Sequence, residues 1–479
     1  MRFLNAASPR SARLAAPVAV LALLLACAVL LAGCKPAPVP EPLPADRLVV
    51  AVRHGPATWT SGPDGKPQGF EYDLVTRFAK EAGLPLAVVP ARSADELAAL
   101  LVAGRAHFGV GGLYRTRNGT PPTDARSQTL ALAWTTGFHP VEPVVVYPRD
   151  GFKPRGWADL DGAEVAYLPV AGFDAGVDAL AQANPRVRFA RVDLPGADAL
   201  IAGVSDGRIN YAIVSSMQAA IARNIYLDFE VAFRAGPGHD LAWLVPDAHA
   251  DLHGKLDAFI AKARSSGLVA RLADRYFGHG QEVQRVDAAV FQERIRNQLP
   301  EFRRLFQEAQ AESGFDWRLI AAVAYQESQW DPLATSETGV RGFMQLTEET
   351  ARHLGVTDRL DARQSVLAAA RYLRDLKGKL PPRIEEPDRT WLALAAFNIG
   401  PGHLEDARVL AQRQKLDPDH WRGVKQALPL LAQPEFHEQA KLGYARGGMP
   451  VAFVDRVRTY YDILLRHEAP QQLRLRAGN

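Results

Sequence analysis

The stretch Asp316-Trp317-Arg318-Leu319-Ile320-Ala321-Ala322-Val323-Ala324-Tyr325-Gln326-Glu327-Ser328-Gln329-Trp330-Asp331-Pro332 decides how the last third of this 479-residue chain is read. Asp316 suits a helix N-cap, its short carboxylate reaching the unpaired N–H groups of the first turn. Trp317, Leu319, Ile320, Val323 and Ala324 follow at helical spacing up to Glu327. Pro332 stops the helix, because the residue before a proline is pushed out of helical geometry. Glu327 therefore ends a helix whose inward face is apolar, and the side chain is expected to point into a dry groove. The loop behind supplies Ser336 and then Gly339-Val340-Arg341-Gly342-Phe343-Met344-Gln345-Leu346. Burial against Phe343 and Met344 would penalise the carboxylate and raise its pKa, keeping the acid protonated near neutrality. General-acid chemistry requires that state.

Outward from this stretch, residues 290–479 stay helical. Asp361 caps a helix through Leu367, Ala370 and Leu373, and further helices are predicted over Asp388–Asn398, Pro401–Gln412, Pro418–Leu428 and Val451–Leu465. No strand pattern appears, so this is an all-α domain. Residues 46–280 read differently. Strands at Leu48–Val52, Leu86–Val89 and His107–Val110 alternate with helices at Phe70–Ala82 and from Ser93 to Leu101. A second set follows Val144–Tyr147: strands Glu164–Leu168, Val187–Val192 and Tyr211–Val214, with helices Gly172–Ala183 and Ala197–Val204. Asp251–Phe277 closes the region with one or two helices. Such alternation implies parallel pairing, here in two α/β lobes with a cleft between them.

Composition narrows the function. With 47% apolar and 23% charged residues the chain is neither disordered nor a coiled coil. Lys+Arg 56 against Asp+Glu 53 leaves +3, which argues against nucleic acid as the main partner. The two cysteines, Cys27 and Cys34, both lie in the leader, which excludes a disulfide framework or a thiol nucleophile further on. His403, His420, His437 and His467 lack the i, i+4 pairing of a zinc helix, and no metal or cofactor is expected. Arg2, Arg10 and Arg13 precede an apolar run from Ala15 to Gly33, which reads as a secretory signal over residues 1–33. Residues 34–45 hold the proline tract Pro36-Ala37-Pro38-Val39-Pro40-Glu41-Pro42-Leu43-Pro44, a stiff spacer of about 28 Å in polyproline II geometry.

Three resemblances build on these residues. Leu31-Ala32-Gly33-Cys34 resembles the lipobox of bacterial lipoproteins. This implies acylation of Cys34 and, with Lys35 next to it, attachment to the periplasmic face of the outer membrane. The front region, with Gly69-Phe70-Glu71-Tyr72-Asp73-Leu74 after its first strand, resembles the periplasmic solute-binding fold. That likeness implies Arg115 or Arg117 as the holder of a ligand carboxylate, whereas Ser215 and Ser216 stand where an amine-binding Asp is usual; a cell-wall peptide is one possible ligand. The helical region resembles the soluble-lytic-transglycosylase domains, relatives of goose-type lysozyme. The elements that match are Glu327-Ser328, Ser336, Gly339-x-x-Gly342-x-Met344-Gln345, Ala395-Ala396-Phe397-Asn398-x-Gly400-Pro401-Gly402 and Phe453-Val454-x-x-Val457-x-x-Tyr460.

The last resemblance implies peptidoglycan strands as substrate, Glu327 as the single general acid/base, and Ser336, Met344, Gln345, Phe397, Asn398 and Tyr460 as groove residues. The family tyrosines expected at Phe397 and Phe453 lack their hydroxyls here. Two-carboxylate glycosidases would need a partner for Glu327, and the candidates are Asp331 and Glu337. With either activating water the outcome is lysozyme-like hydrolysis. In another class, the chain is a cell-wall peptide receptor with an inert helical domain. A third reading joins the two, the front domain sensing muropeptides and regulating the groove. Tyr444-Ala445-Arg446 is either a glycan contact or a helix-end salt bridge.

Overall fold

A computed structural model describes residues 44–55, 57–62, 65–115, 132–168, 174–223, 226, 228–278, 285–336 and 339–471. The leader, Cys34, Arg117 and Glu337 lie outside the described residues.

Strand β1 (Leu48–Arg53) is apolar and buried along nearly its whole length, which suits the middle of a sheet covered on both faces. Helix α1 (Phe70–Ala82) follows, then β2 (Leu86–Ala91) and β3 (Phe108–Val110), and both strands pair parallel to β1. The chain continues through β4 (Tyr114–Arg115), β5 (Leu132–Trp134), β6 (His139–Val141), β7 (Pro143–Pro148), β8 (Glu164–Tyr167), β9 (Arg188–Arg191), β10 (Ala212–Ser215) and β11 (Phe229–Arg234). It returns by β12 (His239–Leu241) and β13 (Leu244–Pro246). Two five-stranded sheets result, in the orders β2-β1-β3-β13-β5 and β9-β8-β10-β7-β11, with a three-stranded sheet β4-β12-β6 from the connecting segments. Parallel pairing, expected from the alternation, holds for β8 with β9 and β10 as it does around β1. It fails at β7 and β13, each antiparallel to both neighbours. These two strands carry the chain from one lobe to the other and back, so no crossover helix sets their direction.

After α2 (Leu268–Phe277) the described chain is helical: α3 (Arg285–Asn297), α4 (Leu299–Ser313), α5 (Trp317–Ser328), α6 (Ala362–Lys379), α7 (Asp388–Ile399), α8 (Pro401–Arg413), α9 (Trp421–Ala427) and α10 (Gly448–His467). Asp316 and Asp361 cap as expected; Asp316 Oδ1 accepts from Arg318 N at 2.8 Å, and Asp361 Oδ1 from Arg363 N at 2.8 Å and Gln364 N at 3.0 Å. The helix expected over Pro418–Leu428 begins only at Trp421, whose N–H is taken by Asp388 Oδ1 at 2.8 Å. Every residue of α5 from Trp317 to Tyr325 is buried, so this helix is the axis of the domain. It runs antiparallel to α10: Arg318 at its start donates to Glu468 O at 2.9 Å, and Tyr325 near its end meets Tyr460 with ring centroids 4.8 Å apart. Among the described residues no helix is long and apolar enough to cross a membrane.

Candidate active site

Helix α5 ends at Ser328, four residues before Pro332, so the proline is not what stops it. Gln329 (φ 55°) and Trp330 (φ 64°) both take the left-handed conformation, costly for residues with a Cβ. Packing enforces it. The Trp330 indole is fully buried and donates to Ala321 O at 2.8 Å; Gln298 donates to Trp330 O at 3.0 Å, and Arg294 to Gln329 O. Glu327 sits in the last turn, half-buried, and burial alone pushes its carboxyl up to about 8. Among the described residues it has no hydrogen-bond or ion-pair partner. A carboxyl so placed holds its proton near neutrality, because nothing nearby stabilises the charged form.

The loop behind is tied to the helix end by Ser328, whose Oγ donates to Phe343 O at 2.8 Å. Phe343 is fully buried, its ring 4.7 Å from that of Phe302. Met344 is buried beside it in the core. Ser336 is half-buried, its backbone N–H donating to Val340 O at 3.0 Å. Gln345 lies at φ 45° and its side-chain amide donates to Ala334 O at 3.1 Å and Gly342 O at 2.9 Å, closing the loop on itself. Gly342 has φ 80°, and a Cβ there would stand 1.7 Å from Arg359 O, so only glycine fits. Asp331 is exposed, and its Oδ1 accepts from Leu333 N at 2.9 Å within its own turn.

Phe397, near the end of α7, is half-buried and stacks on Phe453 of α10, centroids 6.4 Å apart and planes at 20°. Tyr372, which sequence reasoning missed, packs 6.0 Å from Phe397. Asn398 is exposed at the end of α7, and Gly400 (φ 90°) turns the chain into α8 with Pro401 in its first turn. Tyr460, only 6% exposed, is packed in the core against Phe291 and Tyr325 rather than on an open surface. Ser328, Gln298 and Arg294 were also unassigned from sequence. The positive-φ turn that they hold has no glycine to announce it.

In the front domain, Arg53, Tyr114, Leu168, Leu200, Ile213 and Gln218 from both lobes close around a cavity of about 20 Å³. The Tyr114 hydroxyl bonds Ser215 of the opposite lobe. Burial lowers the Arg53 pKa, with Tyr114 and Glu71 opposing. Glu71 is itself fully buried and pushed up to about 7 despite bonds from Gly112 N (2.5 Å) and Trp243 Nε1 (3.1 Å). Arg115 is exposed, donates to Thr135 O at 3.4 Å, and lies instead on a separate cavity of about 420 Å³ with Glu142, Arg234 and Asp240.

A two-lobed α/β domain ahead of a helical domain with a desolvated acid at a helix end sets the class, and comparison with known proteins agrees. Residues 48–279 match the family model for bacterial extracellular solute-binding proteins, family 3, and residues 304–420 match the transglycosylase SLT domain. The chain is an enzyme of the lytic transglycosylase class. Membrane-bound lytic murein transglycosylase F of Methylobacillus flagellatus is 38% identical over 447 residues, covering 92% of this chain and 93% of that protein. The proteins of the same name from Nitrosospira multiformis (40% identical, 89% and 87% covered) and Thiobacillus denitrificans (40%, 93% and 93%) are similar over comparable lengths. Among solved structures, an ancestral arginine-binding protein bound to arginine is 16% identical, with a TM-score of 0.41 over 48% of this chain and 98% of that one. The chain belongs to the membrane-bound lytic murein transglycosylase F family.

Proposed function

We propose that the chain cleaves the β-1,4 bond between N-acetylmuramic acid and N-acetylglucosamine in peptidoglycan, with Glu327 as its single general acid and base and a 1,6-anhydromuramyl product. The observation that carries this reading is the Glu327 carboxyl at the end of α5, desolvated, with no side-chain partner among the described residues and pushed up to about 8. Glu327 gives its proton to the bridging oxygen as that bond breaks, and the N-acetyl carbonyl of the muramyl residue stabilises the positive charge at C1. The carboxylate left behind takes the proton of the muramyl C6 hydroxyl as its oxygen bonds to C1. The proton count closes on one residue and no water enters. The half-buried ring of Phe397, with the core packing of Phe343 and Met344 behind the helix end, favours that path by keeping water out. Asp331, committed to its own turn, supports a one-carboxylate route over hydrolysis.

The Cys34 lipobox supports a lipid anchor on the periplasmic face of the outer membrane, since several acyl chains at ~0.8 kcal/mol per buried methylene hold a protein stably. The front domain is read as a muropeptide sensor. Support comes from the charged cluster joining it to the helical domain. Asp274 on α2 meets Lys425 on α9 at 3.3 Å and Arg458 on α10 at 3.4 Å, and Asp455 on α10 meets both at 2.9 and 3.3 Å. Helix α10 also carries Phe453, which stacks on Phe397, so one element meets the last helix of the front domain and packs against an aromatic assigned to the groove. The test is digestion of purified peptidoglycan by protein lacking residues 1–34. Glu327→Gln is expected to lower turnover by about 10²–10⁴-fold, the usual worth of a general acid. Turnover that survives the substitution would overturn the assignment.

A further inference from the structure

The segment Leu442-Gly443-Tyr444-Ala445-Arg446, between α9 and α10, exposes large side chains that the core does not use. Tyr444 is 56% exposed and Leu442 53%. The backbone beneath them is firmly held. The buried Asp406 carboxylate of α8 accepts from Lys441 N at 3.0 Å and Leu442 N at 2.9 Å. Ala445 is buried and donates to Leu431 O at 3.2 Å, and Gly447 packs so closely that a Cβ would stand 1.7 Å from Leu428 O. With Ala445 inward, Tyr444 and Arg446 both face solvent, as alternate residues of an extended segment do. The Tyr444 ring is braced edge-on by His437 at 5.7 Å. Arg446 is exposed, and among the described residues no carboxylate lies within ion-pair reach, so the helix-end salt bridge does not form.

This platform packs on the start of α8, next in sequence to Asn398 and Gly400, which the family resemblance assigns to the groove. Leu442 lies over Gly402, where a Cβ would meet its Cδ1 at 2.4 Å, and Gly402 belongs to the turn that follows Asn398 and Gly400. It also leads directly into α10, five residues before Phe453. A rigid exposed aromatic beside a saccharide groove offers a flat apolar face to a sugar ring, and a cation without a partner next to it offers a site for an anion. In peptidoglycan the anions are the free carboxylates of the stem peptide hung on each muramyl residue.

We propose that Tyr444 and Arg446 form an outlying subsite that stacks a sugar ring of the strand on Tyr444 and pairs a stem-peptide carboxylate with Arg446, so that the enzyme prefers peptide-bearing strands. The inference rests on the peptidoglycan substrate proposed above. The test measures binding rather than cleavage. Glu327→Gln protein lacking residues 1–34 is pelleted with insoluble peptidoglycan, and its affinity for the soluble glycan strands that an amidase frees of their peptides is measured by competition against that pelleting. Adding Tyr444→Ala is expected to weaken binding about tenfold to both, whereas Tyr444→Phe keeps the ring and binds like the parent. Adding Arg446→Gln is expected to weaken binding about twofold to fivefold to the peptide-bearing material alone, an effect lost in high salt. Unchanged binding by folded Tyr444→Ala overturns the subsite while leaving the substrate in place. A parent that binds neither material overturns both.

Discussion

Glu327 keeps its proton because its surroundings give the charge nothing to lean on, and this has a consequence for stability as well as for catalysis. A carboxyl raised to about 8 in the folded chain, against an ordinary unfolded value, binds a proton more tightly folded than unfolded. The fold therefore loses stability as pH rises from the unfolded value through about 8, and below that window the group is neutral in both states. Glu327→Gln, neutral at every pH, should raise the melting temperature at pH 8.5 and leave it nearly unchanged at pH 4. Thermal unfolding at the two values checks this, and an equal effect at both would mean that the carboxyl is not desolvated. The acid itself was legible from an apolar helix face ending in a lone Glu. The left-handed Gln329-Trp330 turn that fixes its direction was not, because no local rule predicts positive φ for Gln and Trp; only the buried indole and the donors Gln298 and Arg294 require it.

The loop from Ala334 to Leu346 is the element that most depends on one atom's absence. Gly342 approaches the Arg359 carbonyl so closely that Ala would have to displace backbone, at a φ of 80° that L side chains rarely adopt. Gly342→Ala is expected to cost about 2–4 kcal/mol of stability and to lower turnover by more than tenfold, through displacement of Phe343 and of its bond from Ser328. Denaturant unfolding and peptidoglycan digestion measure the two, and a stable, active variant would contradict the role given to the loop. The Gly339-x-x-Gly342 loop was marked only by its family resemblance, and the Arg359 carbonyl that Gly342 approaches lies on a segment that the sequence does not pair with it. The sheets show the same division. Helix caps and parallel strands followed local pattern, whereas the reversed β7 and β13 follow from the path between lobes.

Across the whole molecule, the two domains meet through charges that are largely withdrawn from water. Arg458 is buried, and its guanidinium also donates to the Asp274 and Arg275 carbonyls at 2.6 and 3.1 Å, at the end of α2. Removing one carboxylate from such a cluster leaves cations short of a partner, which costs more than an exposed pair does. Asp274→Asn is expected to destabilise the helical domain by about 2 kcal/mol and to separate its unfolding from that of the front domain. Calorimetry would show a second transition; a single, unshifted transition would deny the cluster a linking role. The domain order was readable from composition and alternation, but this cluster joins residues 274, 425, 455 and 458, a pairing that no sequence spacing reveals.

A cleavage that uses one carboxyl and no water leaves its signature in the mass of the released muropeptide. Protein lacking residues 1–34, acting on purified peptidoglycan, should yield a disaccharide-peptide one water lighter than the hydrolysis product, with no reducing muramyl end. A product of the heavier mass would show that water had attacked C1, and the single-acid mechanism built on Glu327 would be wrong.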